Sequence, residues 1–186
     1  MATPEQIIQR LYADFDCQLP QERVLELMSS LEAQLARGVL RRIRELRLTV
    51  RAGEDRFELP FEAEALQRVQ LDGRELSAGD LSFRDEYLAD KTTLVLAPGH
   101  SAGILRLSYI ELPEKLTSEN FHKRQLLLPD GFEEIYLYHI LLRAALATDD
   151  IERLNNYSAL YTKALSELGG SQFKDRLCSR NYRNIW

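Results

Sequence analysis

The sequence predicts an α+β protein. A helical bundle is built from both ends of the chain, a small antiparallel β domain is inserted between its halves, and an extended C-terminal arm follows. Three observations predict this. Apolar residues recur at three- and four-residue steps in the first 45 residues, switch to every second residue over 46–113, and return to the helical step over about 130–169, within a last bundle segment taken as 114–170. The remaining stretch, 171–186, keeps neither period.

The first helix starts at Thr3, a residue type that caps, with Pro4 at the first helical position and Glu5 and Gln6 in the first turn. Ile7, Ile8, Leu11, Tyr12 and Phe15 form its apolar face. The stretch DCQLP, ending at Pro20, interrupts it. A second helix carries Val24, Leu25, Leu27, Met28, Leu31 and Leu35 on one stripe. Gly38 weakens it, and Arg41, Arg42 and Arg44 are expected near its end, where cations complement the helix dipole.

In the middle region, LRLTV alternates, RAGED reads as a turn and RFELP returns, which predicts a hairpin. VQLDGREL repeats the pattern around Asp72-Gly73, a strong turn dipeptide. LSFRDEYLAD, TTLVLAP and ILRLSYIEL follow, giving five to seven short strands in an antiparallel sheet or sandwich. Pro60, Pro98 and Pro113 stand at strand ends, where a missing N–H is tolerated.

The third region predicts a helical hairpin. Asp130 is the expected cap, with Glu133 three residues on. FEEIYLYHILLRAALA is apolar around most of its circumference and should be buried. TDD breaks it and caps a last helix, whose stripe is Ile151, Leu154, Tyr157, Leu160, Tyr161, Ala164, Leu165 and Leu168. Gly169 and Gly170 are expected to stop that helix.

Composition narrows the function classes. Apolar residues are 45% of the chain and charged residues 28%, which suits a folded domain rather than a disordered one. The net charge of −5 argues against gripping nucleic acid over the whole surface. Within 171–186, Lys174, Arg176, Arg180 and Arg183 stand against Asp175 alone, a local +3 that leaves the body at −8. The N-terminus lacks a signal-peptide pattern, and no apolar run approaches the ~20 residues that cross a bilayer. Cys17 and Cys178, the only cysteines, belong to no CxxC or zinc spacing and read as free thiols. Synthesis in cytoplasm and no membrane association are therefore expected.

Nothing in the sequence assembles a catalytic or cofactor site. There is no GxSxG, no GxGxxG after a strand and no GxxxxGK[ST]. His100, in PGHSAG beside Ser101, lies in a flexible inter-strand loop. His122 is isolated, and His139 reads as a packed histidine hydrogen-bonded to backbone or a neighbour. The pairs Glu133/Glu134, Asp149/Asp150 and Glu62/Glu64 fit helix starts and solvated faces. No catalytic residue, metal or cofactor is expected. Two groups of residues are candidates for protein contacts. One is the cationic series Arg37, Arg41, Arg42, Arg44 and Arg47, read as a helix-end face paired with local acids such as Glu45, or as an inter-subunit contact. The other is Phe173, Lys174, Arg176, Arg180, Tyr182, Arg183 and Trp186, because Arg, Tyr and Trp are enriched where binding energy concentrates.

Four segments carry a resemblance: LRLTVRAGEDRFELP, ILRLSYIELPEKLT, LLLPDGFEEIYLYHILLRAALATDD and NNYSALYTKALSELGG. In that order the chain resembles the head-to-tail adaptor proteins of tailed phages, especially short-tailed ones, over residues 3 to 170. The resemblance implies a structural virion protein of the neck, made in the host bacterial cytoplasm. It implies a homo-oligomeric ring, usually of twelve copies, joining the portal protein to a tail or nozzle protein. Double-stranded DNA would pass through the ring without sequence-specific binding. The C-terminal segment of such proteins commonly reaches the portal. Two other classes are weighed against this: a particle-associated cell-wall hydrolase, which needs two carboxylates flanking a sugar site, and a non-viral interaction module of the same layout.

Overall fold

The computed structural model describes residues 3–15 and 17–181, with side chains through Ser171. It contains helices and a curled mixed sheet. The chain separates into two compact units, a helical one of residues 1–40 and 113–186 and a sheet one of Arg41–Leu112.

In the helical unit, α1 (Pro4–Asp14) opens on a complete capping box. The Thr3 hydroxyl accepts from the Gln6 N–H, and the Gln6 side chain accepts from the Thr3 N–H. Helix α2 (Gln21–Arg37) begins after Pro20 and buries Val24, Leu25, Leu27, Met28, Leu31 and Leu35. The expectation that it runs through Arg44 fails. Gly38 closes it by donating to the carbonyls of Gln34 and Leu35, and the chain is a strand from Ile43 on. Arginines favour neither period, so they left that boundary unmarked.

Helix α3 (Glu134–Ala147) is buried along Ile135, Tyr136, Leu137, His139, Ile140 and Leu141. Asp130 is not its cap. Glu133 holds the N-cap position without a side-chain cap bond, and its carboxylate instead accepts from the Gly131 N–H at 3.0 and 3.1 Å. Helix α4 (Ile151–Asn181) is capped by Asp150, which accepts from the Arg153 N–H at 3.0 Å. Its stripe packs through Tyr157, Tyr161, Ala164, Leu165 and Leu168, whereas Ile151 is exposed.

Gly169 and Gly170 do not stop α4, and residues 171–181 are helical rather than an extended arm. Neither glycine takes a positive φ, so the left-handed turn that ends many helices is missing there. Mid-helix glycines cost only about 1 kcal/mol each relative to alanine, too little to break a helix supported on one side by packing. Leu116, Phe121, Leu126 and Leu128, from the aperiodic stretch before α3, complete this core.

The sheet unit holds β1 (Ile43–Val50), β2 (Arg56–Glu58), β3 (Leu66–Leu71), β4 (Arg74–Ala78), β5 (Glu86–Asp90), β6 (Thr93–Leu96) and β7 (Gly103–Ile110), with one 3₁₀ turn at Ala63–Ala65. They form one seven-stranded sheet in the order β1-β7-β3-β4-β5-β6-β2. The first expected hairpin does not form: β1 pairs with β7, and β2 with β6. The RAGED turn is real, with Gly53 at φ 81° and the Glu54 N–H bonded to the Arg51 carbonyl. Pairing follows the apolar residues instead. Leu46 and Leu48 lie opposite Leu107 and Leu105, and Phe57 lies opposite Leu94. The sheet is also not wholly antiparallel, since β4 and β5 run parallel over Ser77↔Glu86 and Ala78↔Tyr87.

The second hairpin, β3–β4, forms around Asp72-Gly73. Asp72 sits at φ 49° and Gly73 at φ 83°, the two positive values a tight two-residue turn requires. Nothing crowds a Cβ at Gly73, so Gly73→Ala tests backbone strain alone. It should lower stability by about 1–2 kcal/mol, read from the urea midpoint.

Candidate functional site

Within the sheet unit the cationic series is split between the two faces of β1. Arg37 ends α2, Arg41 and Arg42 lie between α2 and β1, and Arg44 and Arg47 fall on opposite faces of β1. Arg44 shares the face of the half-buried Leu46 and Leu48; its guanidinium donates to Glu111 at 3.1 and 3.3 Å. Those hydrogen bonds and the Glu111 charge raise its pKa further. Arg47 lies on the other face, 2.6 Å from Glu45, and Arg41 bonds the Gln67 amide. A phosphate at Arg44 or Arg47 must therefore displace a carboxylate, which suits protein contacts better than a DNA grip.

The C-terminal series divides differently. Phe173, Lys174, Arg176 and Arg180 fall on the helical backbone of α4, with side chains outside the described residues. Tyr182, Arg183 and Trp186 lie outside the described residues altogether. Cys178 is in the same position as Phe173, while Cys17 is a free, half-buried thiol.

The sequence reading missed two features of the helical unit. The first is a buried polar cluster. Glu32, on α2, is 0% exposed and accepts three hydrogen bonds: from Tyr136 Oη at 2.6 Å, from the Leu127 N–H at 2.9 Å and from Arg124 at 2.5 Å. It ties α2, α3 and the segment before α3 together. Burial, then the Glu32 charge, push the Tyr136 phenol far above its usual pKa, so it stays a donor. The signal was present: Glu32 stands four residues after Met28, as a lone acid on an apolar stripe.

The second is a cleft of about 380 Å³ at the corner where the α1–α2 link meets the α3–α4 turn. Phe15, Cys17, Leu19, Ala144 and Tyr157 give it apolar walls, and Asp150 and Arg153 stand on its lining as polar groups. The link is held in shape by Tyr12, whose hydroxyl donates to the Leu19 carbonyl at 2.8 Å. Asp150 and Arg153 pair at 3.3 Å. Asp149 turns the corner at φ 52°.

Among the described residues, the three histidines lie in different surroundings. His139 is buried as expected; its Nδ1 has no hydrogen-bond partner among the described residues, and its ring faces Tyr161 at 5.5 Å. Burial, aided by the Arg143 charge, lowers its pKa to about 4. His122 lies on Phe121 and 3.3 Å from Glu5. Glu134 accepts from the Tyr138 hydroxyl at 3.0 Å. Among the described residues, no group of three His, Cys, Asp or Glu is placed to hold a metal ion, and no helix is long and apolar enough to cross a membrane. Two features of the helical unit are open to a partner: the cleft, and a helix that continues well past its hairpin partner.

Comparison with known proteins points the same way. A family model described as SU10 adaptor protein matches residues 4–183, thus both compact units. No curated protein matches the chain.

Proposed function

The chain belongs to the SU10 adaptor protein family, a phage head–tail adaptor family, and from that premise we propose that it forms a ring joining the portal to the tail. Membership makes its role structural rather than enzymatic and makes it a component of the virion neck. The finer reading is a homo-oligomer, most simply of twelve copies, with portal protein above, a tail or nozzle protein below and double-stranded DNA passing through. The single observation that carries it is the family match across both units.

Two features support the reading. A connector must let DNA slide, and a body at −8, with Arg44 and Arg47 engaged by Glu111 and Glu45, attracts phosphates weakly. Helix α4, at 31 residues, is about 46 Å long against about 21 Å for the 14-residue α3, so it outlasts its partner in the hairpin. In the proposed assembly the basic, aromatic segment 171–186 is satisfied by a neighbouring chain.

Removing residues 171–186 tests this. The truncated protein should lose portal co-sedimentation by at least about tenfold in affinity, the scale of one strong hot spot. Equal binding of the two forms would discard a contribution of that segment to portal attachment, whether by direct contact or through assembly of the ring. A reconstruction of the virion neck lacking density for this chain would discard the ring.

A further inference from the structure

We propose that the α1–α2/α3–α4 corner cleft of one copy receives residues 182–186 of a second copy, with Trp186 as the inserted side chain. This rests on the ring reading above and names the contact by which one subunit holds the next.

The cleft has the size and character for an aromatic anchor. Its volume of about 380 Å³ exceeds what one indole fills, and its walls are Phe15, Leu19, Ala144 and Tyr157. Its corner is acidic. Asp149, Asp150 and Glu152 stand there against Arg153, while the segment 171–186 carries a local +3 and two aromatic residues beyond Asn181. Opposite charge around an apolar seat is the usual arrangement of an anchor site: the charges orient the incoming segment and the buried ring supplies the affinity.

Chain length decides whose segment can enter. Tyr157 is the cleft residue farthest along α4, and the helix continues from it to Asn181. That run of 24 residues places Asn181 about 36 Å from the cleft. Tyr182 to Trp186 are five residues, which fully extended reach about 18 Å at most. The chain therefore cannot fill its own cleft while α4 is helical, and a second copy can. Cleft and anchor are different surfaces of one chain, so their contact is head-to-tail, the kind that closes into a ring.

The native Cys17 thiol in the cleft provides the test. In full-length protein carrying Cys178→Ser and Trp186→Cys, mild oxidation of assembled rings should produce a ladder of covalent dimers, trimers and larger species. Adding Cys17→Ser should abolish it. Separately, Trp186→Ala should raise the concentration for half-assembly about tenfold while leaving the thermal midpoint of the subunit unchanged. Rings that form yet give no ladder overturn the proposal. So does a disulfide confined within single chains, and so does a cross-link from position 186 that appears only to added portal protein. Failure of any ring to form, with or without portal, overturns the ring reading itself, and the proposal with it.

Discussion

Replacing Glu32 with alanine is expected to lower the stability of the helical unit by about 3–5 kcal/mol, because the change strands three donors in a dry interior. Glu32 is 0% exposed, and the Arg124 side chain it pairs with is 14% exposed. Without the carboxylate, the guanidinium has no counter-charge, and the Leu127 N–H and the Tyr136 hydroxyl have no acceptor. Arg124 already has one buried nitrogen, Nη1, without a partner among the described residues, so it has little spare hydrogen bonding to fall back on. Removing the whole cluster should be milder than removing its centre. The combination Glu32→Leu, Arg124→Met and Tyr136→Phe should recover most of the loss, since no charge is then left buried. Urea unfolding of the three proteins checks this. An alanine variant within about 1 kcal/mol of the parent would mean that the cluster does not hold the unit together.

Acidification should weaken the same unit through His139. Its folded pKa, about 4, lies below the ordinary 6.5, so the folded state prefers the neutral ring. Between those values the unfolded chain binds more protons, and stability falls as the pH falls. The loss begins near the ordinary value, is complete near about 4 and amounts to at most about 3 kcal/mol for a shift of this size. The cause is visible: a ring 3% exposed, whose Nδ1 has no partner among the described residues, beside the Arg143 cation and facing Tyr161. His139→Leu should flatten that part of the curve. Urea midpoints for parent and variant at about pH 7 and about pH 4.5 measure it. Parallel losses in both proteins would assign the acid sensitivity to other groups.

How much of this was legible depended on whether a residue's role repeats along the chain. Burial of Ile7, Ile8, Leu11, Val24 and Met28 was legible, because a helix face returns every three to four residues and each return adds to the signal. The Asp72-Gly73 turn was legible because its backbone requirement is local. Strand partners were not. Phe57 and Leu94 face each other because of the whole sheet, and the RAGED turn between β1 and β2 offered a nearer but wrong pairing. Leu116, Phe121, Leu126 and Leu128 were missed because a core segment without regular structure has no period. The candidate site split in the same way. The character of the C-terminal residues was plain from composition, whereas the cleft joins Phe15 to Tyr157 and exists only in three dimensions.

The strand order also governs when this protein can fold. The earliest strand, β1, finds its neighbour only in the latest, β7, with Ile43 against Ile110. Helix α2 likewise waits for Leu126 to Ile140 before its apolar stripe is covered. A nascent chain on the ribosome therefore carries unsatisfied greasy surface and an unpaired β1 until residues 103–140 have emerged. Slow folding and dependence on chaperones during synthesis follow, together with a bias toward aggregation when expression outpaces completion.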